Sequence, residues 1–210
     1  MLIETFPVGP FQCNCTILAD DATREAIIID PGDEPEQILD IVRVNNLTVR
    51  YLIHTHAHMD HILGTRRVKE ATGAAILLHR ADEWLYRNLR MQASMFGVEV
   101  NDPPAIDAYL EDGQAVTFGA GGEARVIHTP GHSPGSVCFR LRDEQEILFS
   151  GDTLFAQGIG RTDLWGGSFE TLMRSIRDRL LILDDETLLH PGHGPSSTVW
   201  QEKRRNPWLQ

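Results

Sequence analysis

The chain has 210 residues, of which 41% are hydrophobic and 23% charged, and a formal net charge of −11. That is a globular composition, long enough for one domain with a substantial core, and its acidity excludes a broad phosphate-binding surface and so a nucleic-acid partner. No apolar run approaches the ~18 residues of a membrane span, and Met1-Leu2-Ile3-Glu4-Thr5-Phe6-Pro7 lacks the basic and apolar regions of a signal peptide, so a cytoplasmic protein is expected.

In chain order, Leu2 to Val8, Cys15 to Ala19 and Glu25 to Asp30 read as strands, with a turn at Asp20-Asp21-Ala22-Thr23. Ala26-Ile27-Ile28-Ile29 is uniformly apolar, as in a strand covered on both faces. Pro35 suits the first turn of a helix over Glu36 to Asn45, whose buried stripe is Ile38, Leu39, Ile41 and Val42. The apolar run Tyr51-Leu52-Ile53 ends at Thr55-His56-Ala57-His58-Met59-Asp60-His61, and a helix over Ile62 to Ala71 follows, ended by Gly73. Ala75 to His79 reads as a strand and Ala81 to Gln92 as a helix. Ala93 to Pro104 reads as a long loop in which Met95 and Phe96 are placed to wall a pocket.

The second half returns to strands at Gln114 to Phe118, Ala124 to Thr129, Ser136 to Leu141 and Glu146 to Ser150. A helix capped by Ser168 follows, and then a short strand, Thr187 to His190. Cys13 and Cys15 share a face by their period of two; with Cys138 they read as buried free thiols rather than a disulfide framework. Lys203, Arg204 and Arg205 read as a solvated tail. The repeated order of strands and helices suggests two similar halves within one domain over 1–210.

The chemistry concentrates where strands end. His56, His58, Asp60 and His61 fall within six residues, a density of imidazole and carboxylate that a cation is needed to hold. Three later strands also end at once in Gly-containing turns with metal-competent side chains: His132 in Pro130-Gly131-His132, Asp152 in Gly151-Asp152, and His193 in Gly192-His193-Gly194. Strands of one sheet end along a common edge, so such turns can meet in space. Five histidines and two aspartates suit two ions, each taking about three protein ligands, with a two-oxygen carboxylate between them. Asp152 is the expected bridge. His54, His79, His128 and His190 stay unassigned, and Asp30 is expected to support the site without binding metal.

The spacing His-x-His-x-Asp-His, with His132, Asp152 and His193 behind it, resembles the metallo-β-lactamase superfamily. The resemblance implies an α/β fold, a four-layer αββα sandwich. It also implies that His56, His58 and His132 hold one ion and that Asp60, His61 and His193 hold the other, with Asp152 shared. True β-lactamases of the superfamily lack that aspartate. Gly151-Asp152-Thr153-Leu154-Phe155, Gly158-Ile159-Gly160-Arg161 and the ending Asn206-Pro207-Trp208-Leu209 are most similar to the glyoxalase II thioester hydrolases. The additional helical domain that helps to bind glutathione in classical members is not expected here, and Lys203, Arg204 and Arg205, where they are not simply a solvated tail, would replace it only in part.

The resemblance makes the reaction the hydrolysis of a small anionic thioester, with Asp60 and Asp152 in the catalytic set. Two divalent ions, zinc first and iron or manganese next, would lower the pKa of a shared water from about 15.7 toward ~7 to give the nucleophile. Arg161, nine residues after Asp152, would contact substrate or else pair with Asp163. The alternative is an iron-dependent persulfide dioxygenase, similar through Gly160-Arg161-Thr162-Asp163, with one iron on His56, His132 and Asp152. A lactonase or other ester hydrolase is less favoured, and a metal-stabilised binding or structural protein is the third, non-enzymatic reading, weakened because structural zinc sites are usually closed and cysteine-rich. Oligomeric state leaves no mark in the sequence.

Overall fold

The computed structural model describes all 210 residues as two compact units, residues 1–110 with 117–122, and 111–116 with 123–210.

The first unit is built on a six-stranded sheet in simple sequence order, β1 (Leu2–Val8), β2 (Cys13–Ala19), β3 (Glu25–Ile29), β4 (Thr48–Ile53), β5 (Ala75–His79) and β6 (Ala108–Leu110). The first three strands are antiparallel, and β3 to β6 run parallel. The run from Ala26 to Ile29 is buried throughout, as its unbroken apolar character requires of a two-sided strand. Helix α1 (Pro35–Val44) begins with proline at its first position, where no amide donor is needed, and buries Ile38 and Val42 one turn apart.

Two predicted helices are interrupted. The first divides into α2 (Met59–Ile62) and α3 (Thr65–Thr72) at Leu63-Gly64, and Gly73 ends α3 at φ +72°. The cause of the break is tertiary: the Gly64 amide donates to the Gly32 carbonyl at 3.0 Å instead of to the preceding helical turn, an approach so close that a Cβ on Gly64 would lie 2.7 Å from the Pro31 carbonyl oxygen. The second divides into a 3₁₀ turn (Arg80–Asp82), α4 (Glu83–Arg87) and α5 (Leu89–Ser94), parted at Asn88.

Strand register decides what gathers at the sheet edge. Ile29 pairs with Ile53 and Ile53 with Leu77, so the parallel strands β3 and β4 end level and β5 runs two residues further, to His79. The segments that follow them, at Asp30, His54 to His61 and Arg80 to Asp82, therefore share the carboxyl edge, where open α/β sheets place ligands.

The sheet built on the second unit has the order β14-β13-β10-β9-β8-β7. Its strands are β7 (Ala115–Phe118), β8 (Gly122–His128), β9 (Val137–Arg142), β10 (Glu146–Gly151), β13 (Leu188–Pro191) and β14 (Ser197–Thr198); a small ribbon joins β11 (Leu154–Phe155) to β12 (Gly158–Ile159). Strand β9 is antiparallel to both β8 and β10, and β10 is parallel to β13. Strands β8, β10 and β13 thus point the same way, and the turns after them share an edge. Helix α6 (Phe169–Ser175) is capped by Ser168, as predicted, and continues into a π turn (Ile176–Leu180). Leu172, Met173, Ile176 and Leu180 pack it onto Ile127, Cys138, Leu148 and Leu189 of the sheet. Burying a leucine the size of Leu172 contributes ~2–3 kcal/mol.

Lys203, Arg204 and Arg205 are not a solvated tail. They form the last turn of helix α7 (Val199–Arg205), with Lys203 Nζ 2.5 Å from Asp185 and both arginines stacked on the Trp200 ring. Thr198 caps this helix by accepting from the Gln201 amide, and buried Glu202 accepts from the Gln157 amide and Asn206 Nδ2. All three cysteines are buried and free. No helix is long and apolar enough to cross a membrane.

Candidate metal centre

Each unit carries part of the predicted ligand set at the edge just described. In the first, Asp30 directly follows β3 in a left-handed conformation, φ +49°, with its carboxylate on the loop after β4. One oxygen accepts from the Thr55 amide at 2.7 Å. The other accepts from the Thr55 hydroxyl at 2.5 Å and from His61 Nδ1 at 3.0 Å. A carboxylate can only accept, so His61 Nδ1 carries the proton. The Thr55 hydroxyl proton is committed to Asp30; its oxygen, 3.1 Å from His56 Nδ1, therefore accepts from that ring as well.

One buried carboxylate thus fixes the tautomer of two imidazoles, and both are left with Nε2 as a lone-pair donor. Ligating atoms of His56 and His58, of His56 and His61, and of Asp60 and His61 lie within 4.8 Å of each other. His56, His58 and His61 are buried, and Asp60 is partly open. His61 Nε2 lies 3.7 Å from Asp60 Oδ2.

The second unit repeats the device with different parts. His132, in the turn after β8, lies with Nδ1 2.8 Å from the Arg161 carbonyl oxygen; a carbonyl accepts, so Nε2 again carries the lone pair. That nitrogen is 3.6 Å from Asp152 Oδ2, and His193 Nε2 is 3.7 Å from Asp152 Oδ1. The two oxygens of Asp152 therefore face two different imidazoles.

These separations exceed a hydrogen bond. Two donors bound to one ion at ~2.0–2.2 Å in tetrahedral geometry stand about 3.3–3.6 Å apart, which the Asp60–His61, Asp152–His132 and Asp152–His193 pairs nearly match. The donor set of neutral imidazoles and carboxylates suits zinc, iron or manganese.

Glycine lets both half-sites close. A Cβ on Gly32 would stand 1.9 Å from the Asp60 carbonyl oxygen, and one on Gly160 would stand 1.8 Å from the Asp152 carbonyl oxygen. In each case the backbone of a predicted ligand rests directly on a glycine, which no other residue permits.

The remaining predicted residues are placed as follows. The Arg161 guanidinium forms a two-pronged pair with Asp163, at 2.7 Å on each arm, which pulls the Asp163 carboxyl down to about 2; the pair is solvent-exposed. His54 is fully buried beside Thr65, and burial lowers its pKa to about 4, so it is a neutral core residue. His79 accepts from the Ala81 amide, His128 Nε2 lies 3.0 Å from the Pro134 carbonyl, and His190 Nδ1 lies 3.2 Å from Ser196 Oγ. Met95 and Phe96 are exposed, and Phe96 meets Phe11 edge-on at 5.2 Å.

Two residues escaped the sequence reading. Asp82 accepts from the Ala57 amide at 3.0 Å, and Gln92 bonds the backbone of Ala57 and Met59. A signal existed for Gln92. It follows Leu85 and Leu89 at i+7 and i+3, so it lies on the apolar face of its helix, where a polar side chain needs a reason.

Comparison with known proteins supports the same reading. Residues 8–200 match the family described as the metallo-beta-lactamase superfamily. The chain is 39% identical over 216 residues to the hydroxyacylglutathione hydrolase GloC of Haemophilus influenzae, covering 100% of this chain and 98% of the relative. It is 34% identical over 207 residues to the mitochondrial persulfide dioxygenase ETHE1 of Bos taurus, covering 95% and 73%. Among solved structures, the BLEG-1 B3 metallo-beta-lactamase superposes with a TM-score of 0.91 at 36% identity, over 99% of both chains. TTHA1623 in a di-iron-bound form gives 0.86 at 37% identity, over 98% of this chain and 100% of the other.

Proposed function

We propose that this chain, which belongs to the metallo-β-lactamase superfamily and has its fold, is a metal-dependent hydrolase of small anionic acyl thioesters. The seven predicted donors act as one set: His56, His58 and His132 hold one ion, Asp60, His61 and His193 hold the other, and Asp152 is shared. The observation that carries the proposal is Asp152, whose two oxygens diverge toward two separate imidazoles as a bridging carboxylate requires.

Two divalent ions bound there would acidify a water and polarise the thioester carbonyl. The chain's own part is to hold the lone pairs in place. Asp30, through Thr55, keeps His56 and His61 in the Nδ1-protonated tautomer, and the Arg161 carbonyl does the same for His132. The Arg161 guanidinium is paired with Asp163, so it would hold an anionic thioester by exchanging that carboxylate for the substrate. The full-length likeness to GloC favours a hydroxyacylglutathione-like substrate. The likeness to ETHE1 supports the persulfide dioxygenase as a second reading. The BLEG-1 likeness adds a β-lactam as a control substrate.

The test is Asp152→Ala. The expected result is loss of one ion per chain and of at least ~10²-fold in thioester turnover, on a scale where one ligand of an ion is worth roughly 3–4 kcal/mol. Full activity and metal content in that variant would refute the bridging role, and nitrocefin turnover faster than thioester turnover would replace the substrate class.

A further inference from the structure

From the first unit we infer that Gln92 is a positioning residue that builds the His58 metal-ligand turn before any metal arrives. The inference rests on the reading of His56 and His58 as ligands. Gln92 is buried in α5, with 1% of its surface exposed. Its primary amide is fully used: Oε1 accepts from the Met59 amide at 3.1 Å, while Nε2 donates to the Ala57 carbonyl at 3.0 Å and the Leu85 carbonyl at 2.9 Å. Ala57 and Met59 are the two residues flanking His58. The side chain therefore takes the part that a neighbouring strand would take, pairing the backbone on both sides of the ligand.

The turn needs such a partner. Between Ile53 and Met59 the backbone belongs to neither strand nor helix, and it is buried, so its amides and carbonyls must find partners other than water. Asp82, fully buried, supplies the next one by accepting from the Ala57 amide at 3.0 Å. With Asp30 on Thr55, three buried side chains from three segments hold the backbone of residues 55, 57 and 59, leaving the intervening His56 and His58 rings to project. Gln92 differs from the other two in being neutral and in gripping both flanks of one ligand. Removing it takes the partner from the Ala57 carbonyl and the Met59 amide, while the Leu85 carbonyl keeps the Asn88 amide, and so releases His58 without touching the imidazole.

The experiment compares wild type, Gln92→Met and Gln92→Glu by Co²⁺ titration against a competing chelator, with the visible Co²⁺ spectrum recorded and unfolding of the metal-free proteins measured alongside. Gln92→Met keeps the shape and loses every hydrogen bond; its Co²⁺ affinity should fall ~10–100-fold, the range seen when a partner orienting a ligand is lost, with an altered spectrum. Gln92→Glu, which protonated keeps one acceptor and one donor, should recover part of that loss. A purely structural role would lower the unfolding temperature of both variants and leave the spectrum of the folded fraction unchanged.

Hydrogen exchange on the metal-free wild type needs no variant: the Met59 amide should be protected. Wild-type Co²⁺ affinity and spectrum in Gln92→Met, or an unprotected Met59 amide, would overturn the inference. Absence of Co²⁺ binding by the wild type would instead overturn the metal-hydrolase reading, and Met59 protection would still report on Gln92.

Discussion

Replacing Asp30 by asparagine tests whether one carboxylate organises the first half-site. The change is nearly isosteric, and asparagine tolerates the left-handed backbone at φ +49°, so the conformation is kept while one acceptor becomes a donor. Asp30 accepts three hydrogen bonds, from the Thr55 amide, the Thr55 hydroxyl and His61 Nδ1. The less damaging amide orientation turns the new NH₂ toward the Thr55 N–H and forfeits that bond, at about 1.5–3 kcal/mol for a bond to a charged group. The other two bonds fall from charge-assisted to neutral strength, a further ~1 kcal/mol each. The sum is ~3.5–5 kcal/mol, which for a chain of this length lowers the midpoint of thermal unfolding by roughly 7–20 °C.

Because the partner that fixes the tautomers of His61 and, through Thr55, of His56 weakens from a carboxylate to a neutral amide oxygen, metal affinity should fall by a further ~10–100-fold. Differential scanning calorimetry of the metal-free protein and chelator competition read the two effects separately, with Asp40→Asn on the exposed face of α1 as control. A midpoint within about 2 °C of wild type, together with unchanged metal affinity, would refute the reasoning.

The Tyr86 side chain is buried and its hydroxyl has no protein partner, so Tyr86→Phe should be neutral or stabilise by up to ~1–2 kcal/mol, read by urea unfolding; a loss of more than ~1 kcal/mol would reveal a hidden partner. Burial pushes the Cys138 thiol up to about 11 from 9.0. Below pH 9 both states keep the proton; between 9 and 11 the unfolded thiol ionises and the native one does not, so stability falls as pH rises. The loss from this group should reach ~2 kcal/mol near pH 11, and Cys138→Ala should flatten that part of the profile; an unchanged slope would contradict it. The exposed Arg161–Asp163 pair contributes little to folding. Arg161→Ala should therefore leave the melting temperature within about 2 °C and raise KM for an anionic thioester, and a change confined to kcat would move Arg161 out of substrate binding.

The donors were legible because each follows a strand at a fixed place, and strand ends are set by local apolar patterning. His56 to His61, His132, Asp152 and His193 all stand after a predicted strand, and register then brings each set to an edge. What the sequence hid were features decided by distant backbone. The break at Gly64 depends on the Gly32 carbonyl, 32 residues earlier, which takes its amide, and no periodicity records it. Helix α7 was missed although Thr198 and Gln201 have the spacing of a capping box, because the charged run at Lys203 to Arg205 looked like a tail. Strands β6, β11, β12 and β14 have two or three residues each, too short for alternation to appear.

The most direct measurement is the metal content of anaerobically purified protein, with S-D-lactoylglutathione hydrolysis followed in the same sample. A dinuclear hydrolase gives close to two ions per chain and cleaves the thioester without oxygen. One iron per chain, no thioester cleavage, and oxygen consumption on addition of glutathione persulfide would contradict it.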